Sequence, residues 1–307
     1  IDKYNYIKNL LKKTPGGHAF RFSKKSIFEF TESKRLKILE KAWLNGGLSF
    51  RACFSDITKK ISANKIVSNF IRDKIKRIVK DKHIAKILTD FGHPFTTKRP
   101  TLNTNYFEIF NRKNVQLVDL KTNPIIKITK KGIKTKNEEL KFDKIIFATG
   151  YDALTGPILS LNLTGRKNIK LKKYWKNGPK TFLGIMIPNF PNFFVISGPG
   201  SPSVLTNVPA QIEQHVEWIS KFIKHLEKVG CSKVEPGIKE TENWVNEINI
   251  LANKSLFMKA KNSWYKGDNI PGKPKKFIPY PAGLPQYRKI CNKVQKKMYK
   301  EFKISLK

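Results

Sequence analysis

The run Phe142-Asp143-Lys144-Ile145-Ile146-Phe147-Ala148-Thr149-Gly150-Tyr151-Asp152-Ala153-Leu154-Thr155-Gly156 constrains this chain more than any other stretch. Ile-Ile-Phe followed by Ala, Thr and Gly predicts a buried strand, Lys144 to Ala148, that stops in small residues and a glycine turn. Parallel sheets that wrap a dinucleotide use strands of this kind, apolar on both faces and ending where a ligand approaches. The loop that cradles such a ligand's phosphates, Gly-x-Gly-x-x-Gly, occurs nowhere in the 307 residues. The chain therefore reads as the second half of a two-dinucleotide architecture.

A formal charge of +38 invites a nucleic-acid reading, because clustered cations displace counterions from phosphates. Only nine of the 61 basic residues are arginine, however, and the lysines are spread along the whole chain. Base and phosphate readers lean on the planar arginine fork, so the charge reads as a global compositional bias and no specific nucleic-acid partner is expected. The three cysteines, Cys53, Cys231 and Cys291, have neither metal-type spacing nor a disulfide framework, and no metal site is expected. They fit a reducing cytoplasm. No apolar run reaches the ~18 residues of a membrane span. The chain opens on Ile1 rather than Met, as expected of a piece of a longer polypeptide.

Helical stripes dominate the first 90 residues: Leu36, Leu39 and Trp43 before the Asn45-Gly46-Gly47 stop, then Ile66, Phe70, Ile71, Ile75, Ile78 and Val79 within one long pattern from Ser62 to Leu88. From Pro94 the texture becomes β-rich. Val115–Asp119, Ile125–Thr129 and Gly132–Thr135 predict a small antiparallel ribbon leading into the 144–148 strand. A further strand is expected at Phe193–Ile196, running into Ser197-Gly198-Pro199-Gly200-Ser201-Pro202-Ser203 and then a helix from Val208 to Val229. Strand, Gly/Ser turn and helix is the unit that offers backbone N–H groups to an anion. Asn207 is the expected N-cap of that helix, and Glu213 and His215, two residues apart, read as structural.

Several segments, in this order and spacing, resemble one family. They are His93-Pro94-Phe95-Thr96-Thr97-Lys98-Arg99-Pro100, Tyr106-Phe107-Glu108-Ile109-Phe110-Asn111-Arg112, Ala148-Thr149-Gly150-Tyr151-Asp152-Ala153, Trp175-x-x-Gly178-Pro179-Lys180-Thr181-Phe182-Leu183-Gly184, Phe190-Pro191-Asn192-Phe193-Phe194, Gly198-Pro199-Gly200-Ser201-Pro202-Ser203, Ile212-Glu213-Gln214-His215-Val216-Glu217-Trp218 and Asn262-Ser263-Trp264-Tyr265. The family is the Baeyer–Villiger monooxygenases. The resemblance implies an α/β fold, part of a two-dinucleotide-binding (FAD and NADP) Rossmann-like flavoprotein with a helical insertion. Residues 1–93 would be that insertion, 94–148 the C-terminal half of the NADP domain and 149–307 the C-terminal half of the FAD domain. Both glycine fingerprints are missing, as are the family's Phe-x-Gly-x-x-x-His segment with its following Trp and its N-terminal active-site aspartate. The missing N-terminal half would come from the same gene or a separate chain, and this chain alone is expected to be inactive and poorly soluble.

The implied reaction uses NADPH and O2 to insert oxygen beside a ketone, giving an ester or lactone through a C4a-peroxyflavin. Such chemistry needs a permanent cation beside developing anions, and the resemblance assigns that role to Arg99, whose guanidinium does not deprotonate. Lys98 would touch the NADP phosphate or ribose, and the Trp264 indole N–H the NADP ribose. Thr149 and Gly150 would flank the cofactor crevice, and Gly198, Ser201, Asn207 and Val208 would meet the flavin ring. Two other readings stand beside this one: a relative that oxidises nitrogen or sulfur, and a non-catalytic basic binding protein on the same scaffold.

Overall fold

The computed structural model describes residues 2–306, which form a mixed helix-and-strand protein. The chain divides into two compact units, one of Ile1–Asn64, His93–Pro100 and Asp152–Lys307, the other of Lys65–Gly92 and Thr101–Tyr151.

The helices begin and end where side chains satisfy their orphan backbone groups. After α1 (Asp2–Lys13), α2 (Glu32–Asn45) starts on Thr31, whose hydroxyl accepts from Lys34 N–H, and stops at Gly46 with φ 63°. The single long helix expected over Ser62–Leu88 is instead two, α3 (Ile61–Ile78) and α4 (Lys82–Thr89). Asp81 breaks it. Its carboxylate accepts from the N–H groups of His83 (2.8 Å) and Ile84 (2.9 Å), so it caps a new helix rather than continuing the old one.

In the smaller unit, the expected strands β1 (Ile125–Thr129) and β2 (Gly132–Thr135) form an antiparallel ribbon with a third strand that was not expected, β3 (Glu139–Lys141). Val115–Asp119 is not part of it. Nor is Lys144–Ala148, which forms no strand: Ile146 is 91% and Phe147 66% exposed. A strand exists only through neighbouring strands that pair its N–H and C=O groups, and among the described residues none lies beside this one. The expected strand at Phe193–Ile196 is likewise reduced to a single bridge, Met186 to Phe194.

The larger unit adds α5 (Gly156–Ser160), α6 (Leu171–Tyr174), α7 (Val208–Lys228), β4 (Cys231–Pro236), α8 (Ile238–Asn253), α9 (Leu284–Lys296) and β5 (Phe302–Leu306), with β4 and β5 paired antiparallel. Its main core joins the inner face of α7 to α8, α9 and β5. Phe222 stacks on Tyr299 at 4.3 Å and meets Phe302 at 4.6 Å, while Trp244 stacks on Tyr280 at 4.8 Å. Each such ring, fully buried, contributes roughly 1.5–3 kcal/mol. Polar handles are satisfied inside, as when Trp218 Nε1–H donates to Cys291 O at 2.9 Å. This core holds the N-terminus of α7 in place.

Candidate functional site

The site is assembled in the larger unit from segments distant in sequence. The segment His93–Pro100 is pinned by Asn64. Phe95 N–H donates to Asn64 Oδ1 at 2.9 Å, and Asn64 Nδ2 donates to Phe95 O (2.9 Å) and Ile57 O (2.8 Å). The Phe50 ring meets Phe95 edge-on at 5.7 Å. Within the segment Thr96 stands at φ 68°, an outlier for a β-branched residue, and its buried hydroxyl has no partner among the described residues. Strain and orphaned polar atoms of this kind concentrate at working sites. Three residues on, Arg99 reaches the surface and its Nη1 donates to the Val204 carbonyl at 2.5 Å. Lys98 beside it is half-buried.

Val204 belongs to the loop that delivers α7. Asn207 caps the helix as the sequence predicts, its side chain accepting from Ala210 N–H at 3.4 Å, with Val208 the first helical residue. Pro209 has no N–H and Asn207 takes those of Ala210 and Gln211, so the Val208 N–H and the positive end of a 21-residue helix lie just beyond the carbonyl that Arg99 binds.

The preceding turn, Ser197–Ser201, is packed backbone to backbone. Gly184 has φ 70°, and a Cβ there would lie 2.5 Å from Ser201 N; a Cβ on Gly198 would lie 2.6 Å from Gly184 O. Both positions thus require glycine for packing, whatever binds nearby. The Ser201 hydroxyl donates to Gly198 O at 2.7 Å, and Ser201 O accepts from Tyr280 N–H, also at 2.7 Å. Gly200 N–H donates to Ile278 O (2.8 Å) and Ile278 N–H to Tyr265 O (2.8 Å), so one ladder ties the turn to Trp264–Tyr265. Trp264 is half-buried, its ring 5.2 Å from that of Tyr265, and among the described residues its indole N–H has no partner. Beside it the Ser263 hydroxyl is fully buried and has no partner among the described residues.

Behind the turn lies His215, fully buried on α7. Its Nδ1 accepts from Ser197 N–H at 3.2 Å, which leaves the proton on Nε2, 2.7 Å from Tyr287 Oη; the Tyr287 hydroxyl donates onward to Leu183 O at 2.5 Å. Burial lowers His215 to about 4, so it is neutral and fit to accept. Glu213 points elsewhere and pairs with Lys8 at 3.2 Å. The structural reading of both residues holds.

Of the residues named from sequence, the larger unit gathers Lys98, Arg99, Gly198, Ser201, Asn207, Val208 and Trp264. Thr149 and Gly150 belong to the smaller unit, in its exposed extended stretch. Gly150 has φ 90°, a value that favours glycine, with open space where a Cβ would project. Sequence reasoning missed the loop Thr14–His18 and Arg51. The loop packs on the helix cap: Asn207 N–H donates to Gly16 O at 2.8 Å, and a Cβ on Gly17 would lie 3.1 Å from Asn207 Cβ. Arg51 Nη2 lies 3.5 Å from where a Gly16 Cβ would stand, and its guanidinium sits over Phe22 at 5.7 Å. Pro15-Gly16-Gly17 is a turn signal, and arginine is rare enough in this chain for each one to be a candidate. Those were the available clues.

Comparison with known proteins shows the family to which this mixed α/β chain belongs. A Baeyer–Villiger monooxygenase of Pseudooceanicola batsensis is 38% identical over 299 residues, 96% of this chain and 54% of that protein. A phenazine N-monooxygenase of Lysobacter antibioticus is 35% identical over 288 residues, 92% of this chain and 52% of its own. The solved structure of OTEMO in complex with FAD and NADP superposes with a TM-score of 0.95 at 31% identity, covering 99% of this chain and 56% of that one. No protein-family model matches the chain. The chain is a homologue of the Baeyer–Villiger monooxygenases along nearly its whole length, and spans about half the length of the curated relatives it matches.

Proposed function

We propose that the chain forms the ketone-side part of a Baeyer–Villiger monooxygenase that uses FAD, NADPH and O2 to insert oxygen beside a ketone, giving an ester or lactone. The observation that carries this reading is Arg99. It is a permanent cation held by the Val204 carbonyl at the α7 loop and has no carboxylate partner among the described residues. In that position it stabilises negative charge developing on oxygen, a contribution typically worth 10²–10³ in rate for a single donor.

The residues fit anionic dinucleotides. The α7 N-terminus, capped by Asn207 and begun by Val208, offers the Val208 N–H and the positive end of the helix. Gly198 and Ser201, buried with their N–H groups bonded inside the protein, shape the wall that would face the flavin ring, and the indole N–H of Trp264, without a partner among the described residues, suits a ribose hydroxyl. Lys98 suits a phosphate or ribose of NADP, and Thr149 and Gly150 the rim of the cofactor crevice. The chemistry that the flavin and nicotinamide supply when bound is the reduction of O2 to an oxygen donor. The protein's own part is to orient, to exclude water and to hold a fixed positive charge.

The glycine loops come, in this reading, from a complementing N-terminal half in the same gene product or another chain. Residues 1–93, whose described part holds helices and no strand, act as the helical insertion; 94–148 and 149–307 act as the C-terminal halves of the NADP and FAD domains. The exposed apolar residues of the smaller unit, Ile126 and Ile128 on one face of β1 together with Ile146 and Phe147, support this, since monomers rarely leave such surface to water. Among the described residues no helix is long and apolar enough to cross a membrane. The three free cysteines suit the reducing cytoplasm, where we place the protein.

The test is co-expression with a polypeptide bearing two Gly-x-Gly-x-x-Gly loops. It should yield a yellow complex with bound FAD that oxidises NADPH faster when a ketone is added, and Arg99→Ala should lose product formation. A complex that binds no flavin refutes the reading. One observation favours the non-catalytic alternative: an open groove of about 670 Å³ between α1 and α9, lined by Lys12, Lys13, Arg288, Lys289, Lys293 and Lys296. Binding of polyanions that weakens steeply with salt, without flavin affinity, would favour that reading.

A further inference from the structure

We propose that Arg51 and Arg99 together form a seat for a compact oxyanion, a carboxylate or a phosphate, at the cap of α7. The inference deepens the functional reading above and rests on it for the identity of the ligand, not for the existence of the seat.

Arg51 is tied to the site from two sides. Its neighbour Phe50 packs edge-on against Phe95, in the segment that carries Arg99. Its guanidinium lies against the Gly16–His18 loop, whose Gly16 carbonyl receives the Asn207 N–H and whose Gly17 packs on the Asn207 side chain. Arg99 reaches the same place from the other direction through Val204, three residues before Asn207. The loop cannot drift away. Thr14 Oγ1 accepts from His18 N–H (2.9 Å) and donates to His18 O (2.8 Å), and Leu284 N–H donates to Pro15 O at 2.9 Å.

The electrostatics are one-sided. Neither guanidinium has a carboxylate partner among the described residues. Arg51 is half-buried, and desolvation, with the Arg99 charge adding to it, pulls its pKa below the ordinary arginine value. His18 is lowered to about 4, first by burial and then by Arg51 and Arg99, so it brings no negative charge. Tyr265, the aromatic neighbour of Trp264, is raised to about 12 by burial and stays protonated despite both arginines. A desolvated cation is tolerated when something pairs it, and arginine is the side chain shaped for carboxylate and phosphate forks. Among the described residues no carboxylate pairs these two, so the ligand supplies one negative charge to both. Two sources share that chemistry: a carboxylate carried by the ketone substrate, or a phosphate of the nucleotide.

The test is titration of the protein in its soluble form, alone or with its complementing half. The readouts are the His18 imidazole NMR signals and Trp264 fluorescence, and the probes are levulinate, its uncharged methyl ester, and NADP+. An anion in the seat should raise the His18 pKa, and Arg51→Gln should weaken that anion about ten- to a hundredfold, as expected for a charged hydrogen bond. Arg51→Lys should fall between. Levulinate binding with the methyl ester silent assigns the seat to an acidic substrate; NADP+ binding alone assigns it to the cofactor. The seat is overturned if Arg51→Gln, with an unchanged circular dichroism spectrum, binds both anions as tightly as the parent. It is equally overturned if Lys228→Gln, at the far end of the 21-residue α7, weakens them as much. If the complemented protein oxidises no ketone while the anion still binds through Arg51, the functional reading fails and the seat stands.

Discussion

At the scale of single residues the account rests on charge placed without compensation. Arg99 is predicted to be irreplaceable for oxygen transfer. In the complemented enzyme Arg99→Ala should lower turnover by about 10²–10³ while flavin content stays unchanged, read from product formation and from the flavin absorbance. His215 supplies a second prediction, in stability. Its folded pKa of about 4 lies below the ordinary 6.5, so the unfolded chain takes up the proton first as pH falls. The stability that neutral His215 allows is complete above pH 6.5 and is lost progressively down to about pH 4, by roughly 3 kcal/mol. Half-buried His18 adds a smaller loss of the same sign, screened by solvent. Urea unfolding at a series of pH values should show this decline, and His215→Gln should be less stable at pH 7 yet flatter between pH 6.5 and 4. A parallel decline in that variant would remove His215 as the cause.

At the scale of elements, what the sequence made legible depended on whether the partners of an element lie within the chain. α7 and its Asn207 cap were readable because a helix satisfies its own backbone and a cap acts within four residues. The β1–β2 hairpin was readable for the same local reason, whereas β3, three residues rich in charge, carried no strand signal. The break at Asp81 was missed because apolar periodicity runs on across it while a single carboxylate decides the local backbone. The stretch Lys144–Ala148 has every residue preference of a buried strand and is exposed, since strand pairing is a property of neighbours and not of the sequence alone. Of the site, motif residues such as Arg99 and Trp264 could be named, but Arg51 and the Gly16–His18 loop could not. Only folding brings residue 51 to residue 16. Two predictions belong here. Amide exchange across 144–151 should be fast in the chain alone and slow by orders of magnitude with the complementing half; unchanged exchange would show that no strand forms there. Gly184→Ala should destabilise the larger unit by more than about 2 kcal/mol, because its Cβ would meet the Ser201 backbone at positive φ; a smaller loss in urea unfolding would mean that the turn can yield.

At the scale of the whole molecule, the fold and the relatives point one way. The chain matches Baeyer–Villiger monooxygenases along 92–99% of its own length and about half of theirs, and the smaller unit leaves apolar side chains in water. A large net charge keeps such a chain from associating indiscriminately but does not cover those faces. The measurement that tests the central claim most directly is isotope-labelled turnover. The chain would be co-expressed with a polypeptide carrying both glycine loops, then given NADPH, a panel of neutral and acidic ketones, and ¹⁸O₂. The account predicts an ester or lactone carrying a single ¹⁸O atom, formed in step with NADPH oxidation and lost in Arg99→Ala. Flavin-loaded protein that consumes NADPH and O2 but leaves every ketone intact, or that transfers the label only to nitrogen or sulfur, would contradict it.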